Sequence, residues 1–198
     1  MPSIAVVGGG FGGVAAIVML RRAGFSDVTV FERGERIGGV WNHNTYPGAA
    51  CDVPSHLYEF SFAPNPRWSR RYAPQAEIQA YLEDIVDREG VRDRVRTGVE
   101  VESAMWDAEL ATWTLETSAG GFEADVLLTA CGQLSVPSVP SIPGLDDFTG
   151  TSWYIDENGH DPNQWPWLWS TYRRRTAAIA PGTYRLGEPK RSLVGPVG

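Results

Sequence analysis

A β-branched apolar run from Ser3 to Val7 breaks at a cluster of glycines, and an alanine-rich apolar segment from Val14 to Ala23 follows, ending at Gly24. Val28, Val30 and Glu32 then alternate. The period changes from two to helical and back to two, which predicts strand, turn, helix, strand over the first 32 residues. Gly24 stands where a helix C-cap is expected, and the second run is too short for anything but a strand. Residues 34–72 are rich in Gly, Pro, Asn, Trp and Tyr and keep no period. An aperiodic stretch of that length inside a compact domain reads as a functional loop.

Pro74 suits a first helical turn, and Ile78, Leu82, Ile85 and Val86 recur at helical spacing until Gly90, so a second helix is expected there. Val99–Trp106 and Thr112–Thr117 alternate, with turn-formers near Asp107 and Gly120, and read as an antiparallel meander. The apolar run from Ala124 to Ala130, ending at Gly132, reads as a strand buried on both faces. Pro137 to Gly150 is a linker-like exit. Beyond it the pattern is lost: four of the eight tryptophans fall between Trp153 and Trp169, amid Pro, Asn and Asp, and the stretch from Gly187 is rich in Gly and Pro. The division expected is a domain over 1–150 and an irregular, Trp-rich tail over 151–198.

Composition narrows the classes. A chain of 198 residues, 42% hydrophobic, is large enough to bury a core without a disulfide framework or a structural metal. Cys51 and Cys131 lie in unlike contexts, and no secretory segment is evident, so they read as reduced thiols of a cytoplasmic protein. The longest unbroken apolar run, Val14 to Leu20, falls far short of the roughly 20 residues that span a bilayer. Residues 1–150 hold 11 basic and 20 acidic side chains. An acidic body repels phosphodiester backbones, and the Arg173, Arg174, Arg175 triplet reads as a solvated face, so no nucleic-acid partner is expected.

The candidate chemistry lies at the first turn. Gly8, Gly10 and Gly13 form G-x-G-x-x-G between a strand and a helix. Gly8 permits the tight turn, Gly10 lets backbone approach a pyrophosphate, and Gly13 lets the helix pack on the strand, while the helix amino end offers unpaired N–H groups. Glu32 closes the second strand, where its carboxylate can take both ribose hydroxyls of an adenosine and would repel a 2′-phosphate. FAD or NAD therefore fits better than NADP, and Arg33 reads as a solvated neighbour of Glu32. Two more glycines, in Ile37-Gly38-Gly39-Val40-Trp41, let backbone pass close to a large planar ligand.

From here the chain resembles the flavin-dependent class B monooxygenases, the flavin-containing and Baeyer–Villiger enzymes. The matching residues are Gly8 to Gly13, Glu32-Arg33, Gly38-Gly39-Val40-Trp41, Tyr46 to Ser55 and Tyr58 to Phe62. They continue through Tyr72-Ala73, Ile78, Val101, Trp106-Asp107, Trp113, Ala130 to Ser135 and Ile142 to Leu145. The resemblance implies an α/β fold, a Rossmann-type parallel sheet with an antiparallel β-meander. It implies that Gly8, Gly10, Phe11 and Gly13 hold the FAD pyrophosphate, with Glu32 and Arg33 at the adenosine ribose. Gly39, Val40 and Trp41 fall on the flavin side, Val101 meets the adenine through its backbone, and the chain passes the cofactor at Gly132. Asp52 matches the family's active-site carboxylate; an Asx-turn or helix N-cap beside Pro54 is the equal alternative. Thr45 and Val40 depart from the Baeyer–Villiger pattern, where Arg and Thr are usual.

The family reduces FAD with NADPH and, using dioxygen, delivers one oxygen atom to a ketone, amine or sulfide; the small-molecule substrate itself is not legible. NADPH needs a second dinucleotide fingerprint, and none follows Gly150. Residues from Tyr154 to Arg175 are similar to the C-terminal tail of some members, so the expectation is an FAD half joined to a tail with the middle lost and turnover impaired. Two rivals are a non-catalytic flavin-binding or interaction protein and an NAD-linked oxidoreductase fragment. His43, His56 and His160 lack metal-ligand spacing, no metal is expected, and the tryptophan cluster reads as packing. Oligomeric state is left open.

Overall fold

The computed structural model describes residues 1–46, 48–132 and 144. The expected linker, the Trp-rich tail and the arginine triplet lie outside the described residues. Element order is β1 (Ile4–Val7), α1 (Phe11–Arg22), β2 (Val28–Glu32), α2 (Val40–His43), α3 (Gln75–Arg88), β3 (Val95–Thr97), β4 (Val101–Asp107), β5 (Thr112–Thr117), β6 (Gly120–Ala124) and β7 (Val126–Thr129). Short 3₁₀ turns cover Ser55–Leu57 and Arg92–Arg94.

Four strands form a parallel sheet in the order β3-β2-β1-β7, and β4, β5 and β6 form an antiparallel meander. The two periods of the sequence build three layers. On β1 and β2, Ile4, Val6, Val28 and Val30 face the helices and pack on Val14, Ile17, Val18, Leu82, Ile85 and Val86. The alternate residues Ala5 and Phe31 face the meander and pack on Leu115 and Ala124. A strand covered on both faces must be apolar at every position, which is why Ile4 to Val7 carries no polar residue.

Several boundaries differ from the pattern reading. Helix α1 starts directly after Gly10 rather than at Val14, because glycines without apolar side chains are invisible to periodicity. Pro74 is the N-cap of α3, extended at ψ 156°, not its first turn. The turn at Gly120 leads into a third meander strand, so Ala124 ends β6 and only Val126–Thr129 joins the parallel sheet. Burial of that strand on both faces is not found: Val126, Leu127 and Leu128 are half-buried and Thr129 is exposed, since β7 pairs with β1 alone among the described residues. Strand β3, three residues long, carries no readable pattern and is held by its pairing with Val30 to Glu32.

Asp125 fastens the two ends of this arrangement. Its Oδ2 accepts from the Ser3 backbone N–H at 2.7 Å and from Ser3 Oγ at 2.9 Å, while the Asp125 N–H donates to Ser3 Oγ at 3.0 Å. No helix among the described residues is long and apolar enough to cross a membrane. Cys51 is buried, Cys131 is exposed, and both are free thiols.

Candidate functional site

The parallel register sets Val7 beside Phe31, so the chain leaves β1 at the point where β2 reaches Glu32. Gly8 turns there with φ +107°, and a Cβ on it would stand 2.4 Å from the Ala130 carbonyl oxygen. Only glycine makes this turn without strain or collision. A Cβ on Gly13 would stand 1.8 Å from the Gly8 carbonyl oxygen, so the helix sits against the loop with no room for a methyl group. The first-turn N–H groups of α1 find no acceptor within the helix and point past this loop, where an anion is favoured.

Glu32 is buried, 4% exposed, and both carboxylate oxygens are engaged by the loop backbone. The Gly9 N–H donates to Oε2 at 2.7 Å and the Gly34 N–H to Oε1 at 2.8 Å. Charge-assisted bonds of this kind fix the carboxylate before any ligand arrives, and each oxygen keeps a lone-pair direction for a hydroxyl.

A second glycine turn faces the first. The Gly38 N–H donates to the Gly9 carbonyl at 2.9 Å, and a Cβ on Gly39 would lie 3.1 Å from Gly10 Cα. Gln79 of α3 holds this turn from below by donating from Nε2 to the Ile37 carbonyl at 2.7 Å. Among the described residues its Oε1 is buried without a partner, and a Cβ on Gly38 would come within 2.0 Å of it. Gly38→Ala, at φ +126°, is therefore expected to destabilise the chain by about 2–4 kcal/mol. Adding Gln79→Ala should recover at least ~1 kcal/mol of that loss beyond additivity, read as the coupling in a urea-denaturation double-mutant cycle.

Trp41 extends the same wall. Its Nε1 donates to the Tyr58 hydroxyl at 3.1 Å, and the Gln75 amide donates to its carbonyl. Burial pushes the Tyr58 phenol above its ordinary range against the opposing hydrogen bond from Trp41, with the charges of Cys51 and Asp52 adding a little. The Phe11 ring turns down onto Tyr58 and Phe60, with centroids 4.8 and 5.0 Å away. Val99 to Val101 and Ala130 to Gly132 close the far side, held by the Val99 N–H on the Glu32 carbonyl at 3.0 Å and the Ala130 N–H on the Val7 carbonyl at 2.8 Å.

These walls enclose a cleft of about 380 Å³ over the amino end of α1, within the roughly 300–1,000 Å³ usual for cofactor pockets. Gly8, Gly10, Phe11, Glu32, Arg33, Gly39, Val40, Trp41, Val101 and Gly132 all line it. Arg33 is exposed, 3.9 Å from Glu100 on the opposite wall. Gly13 lies beneath the lining as a packing contact. Asp52 is exposed and outside the lining. The 3₁₀ turn at Ser55 has Pro54 at its N-cap and no side-chain cap bond, so Asp52 does not cap it, which removes the N-cap alternative there. The sequence reading gave no role in the site to Gly9, Gly34, His43, Tyr58 and Gln79. Gly9 is an unspecified position of the motif, and a buried glutamine on an amphipathic helix has no one-dimensional signal. A second cavity, beside Arg36, Glu83 and Arg92, is crossed by ion pairs of 3.1 and 2.5 Å and holds no comparable backbone cradle.

The glycine cradle, the free helix end and the fixed carboxylate fit a dinucleotide. A family model described as an NAD(P)-binding Rossmann-like domain matches residues 6–74. A Baeyer–Villiger monooxygenase of Streptomyces coelicolor is 51% identical over 158 residues, which are 80% of this chain and 30% of that protein. Among solved structures, an oxidised steroid monooxygenase bound to NADP is 43% identical with a TM-score of 0.66, covering 75% of this chain and 29% of the other. The complex of OTEMO with FAD and NADP is 29% identical with a TM-score of 0.68, covering 77% and 29%. The chain thus spans about 30% of the length of the curated relatives it matches.

Proposed function

Since the chain belongs to the class B flavin monooxygenases, as the N-terminal FAD-binding Rossmann region of a Baeyer–Villiger-type member, we propose that its glycine-lined cleft binds FAD. One observation carries the proposal: both oxygens of buried Glu32 are already fixed by N–H groups of the loops that frame the open amino end of α1. Gly8 and Gly10 bring backbone to the pyrophosphate, and Gly13 seats the helix that faces it. Glu32 takes the adenosine ribose, with Arg33 at the rim. Val101 serves the adenine edge, Gly39 to Trp41 the flavin side, and Gly132 the passage of the chain beside the cofactor.

Bound FAD would supply the redox chemistry that takes electrons from NADPH and passes one oxygen atom of dioxygen to a small ketone, amine or sulfide. The chain's own part is to bind, orient and exclude water. Asp52 is proposed as the active-site carboxylate of the flavin side from its match to the family's motif; it is exposed outside the cleft lining, and its charge helps raise the Tyr58 phenol. Residues 1–150 act as the cofactor unit and 151–198 as an appended tail. With no second glycine fingerprint after Gly150, these 198 residues are proposed to hold FAD with little NADPH-driven turnover by themselves.

Titrating the purified chain with FAD, followed by flavin fluorescence and absorbance, is expected to give saturable uptake near one FAD per chain. No uptake, or uptake of NAD in its place, refutes the flavin assignment. Steady NADPH oxidation in air at rates of order 1 s⁻¹ or above, typical of competent enzymes, would refute the impaired turnover.

A further inference from the structure

His43 ends α2, its N–H held by the Gly39 carbonyl at 3.2 Å, and the residue lines the same cleft as Glu32. The residue that reveals their relation is Gly34. The position its absent Cβ would take lies 3.1 Å from Glu32 Oε1, 3.2 Å from His43 Cε1 and 3.2 Å from Asn42 Nδ2. Cε1 is the imidazole carbon between the two ring nitrogens, so the polar edge of His43 and the carboxylate of Glu32 flank one narrow gap that a glycine keeps open. No hydrogen bond within the described residues uses either ring nitrogen of His43.

We propose that His43 is a second recognition residue for the adenosine ribose, reading the free 2′,3′-diol together with Glu32. The inference rests on the cleft holding an adenosine dinucleotide and deepens that reading. The chemistry is complementary. An ionised carboxylate only accepts, so Glu32 can hold the protons of the diol but leaves the lone pairs of its oxygens unmet. An imidazole supplies the missing donor. Burial pushes the His43 pKa below its ordinary value, against the pull of Glu32 and with a small contribution from Arg33, which keeps the ring neutral near pH 7. A neutral ring brings no positive charge to offset Glu32, so His43 adds no attraction for a 2′-phosphate and favours the unmodified diol.

The test uses the full 198-residue chain with ADP and 2′,3′-dideoxy-ADP as probes in titration calorimetry, with far-UV circular dichroism on each variant. His43→Phe is expected to weaken ADP about tenfold and dideoxy-ADP less than twofold, because the lost bond is to the sugar hydroxyls. His43→Gln, which keeps an N–H donor, should stay within about threefold of the parent for ADP. If the phenylalanine distorts α2, His43→Leu takes its place and is read in the same way. Equal ADP affinity in the parent and the apolar variant overturns the inference, and so does an equal loss for both probes. Those results leave FAD uptake by the parent intact, whereas a parent that binds neither ADP nor FAD defeats the dinucleotide reading and this inference with it.

Discussion

Replacing Gly13 with alanine is expected to destabilise the folded chain by about 3 kcal/mol or more, since the new methyl carbon would stand 1.8 Å from the Gly8 carbonyl oxygen and a main-chain atom cannot swing aside. Relief requires α1 to lift from β1 and β2, which opens the packing of Val14, Ile17 and Val18 on the sheet. At this chain length each kcal/mol shifts the thermal midpoint by roughly 2–4 °C, so a fall of ~6–12 °C is expected, with FAD affinity reduced along with it. The neighbouring glycine provides the contrast. A Cβ on Gly12 would have Ala130 Cβ as its nearest contact, at 3.4 Å, so Gly12→Ala should hold or raise stability by up to ~1 kcal/mol, the usual helical gain of alanine over glycine. Two adjacent substitutions of one chemistry thus differ in sign, and differential scanning calorimetry on both decides the matter. A Gly13→Ala midpoint within ~2 °C of the parent contradicts the close approach of helix and loop.

Glu32→Ala is expected to be nearly as damaging to the fold and worse for the ligand. It strips two backbone donors, the buried one on Gly9 and the half-buried one on Gly34, of their shared acceptor. Unpaired donors of this kind cost about 1–3 kcal/mol each, so a loss of ~2–4 kcal/mol is expected by urea denaturation. FAD affinity should fall by about a hundredfold, from the lost ribose bonds and the relaxed glycine loops together. Glu32→Gln separates the two effects only in part, because its amide nitrogen must face one of the same N–H groups as donor against donor. It should fall between the parent and the alanine variant in both measurements.

The legible parts of this molecule are those in which a local rule and the tertiary arrangement agree. Ile4 to Val7, the glycines and Glu32 each satisfy a backbone requirement that acts over a few residues, and the spacing shows it. Parallel pairing then delivers Glu32 to the loop with no further instruction. The features that were not legible are set by contacts between distant segments. Strand β3 exists because three residues find an edge on β2, and β7 is half-buried because it pairs on one side only within the described residues. The roles of Gln79 and His43 depend on which turn lies opposite them, and neither residue type announces that in sequence. Asp52 shows the converse: its motif is clear, yet its carboxyl lies outside the cleft lining, so a sequence match identified the segment without placing the side chain.

The clasp between Ser3 and Asp125 bears on how the chain matures. Residues 122 positions apart in sequence hold the first and last described strands together, and the strand that follows the clasp leads directly to the cleft wall at Ala130 to Gly132. Contacts of such long sequence separation are late and slow to form. A growing polypeptide can assemble β1, α1 and β2 early, but it lacks a finished glycine-lined cleft until about residue 130 has left the ribosome, and meanwhile one edge of the nascent sheet stays open to wrong partners.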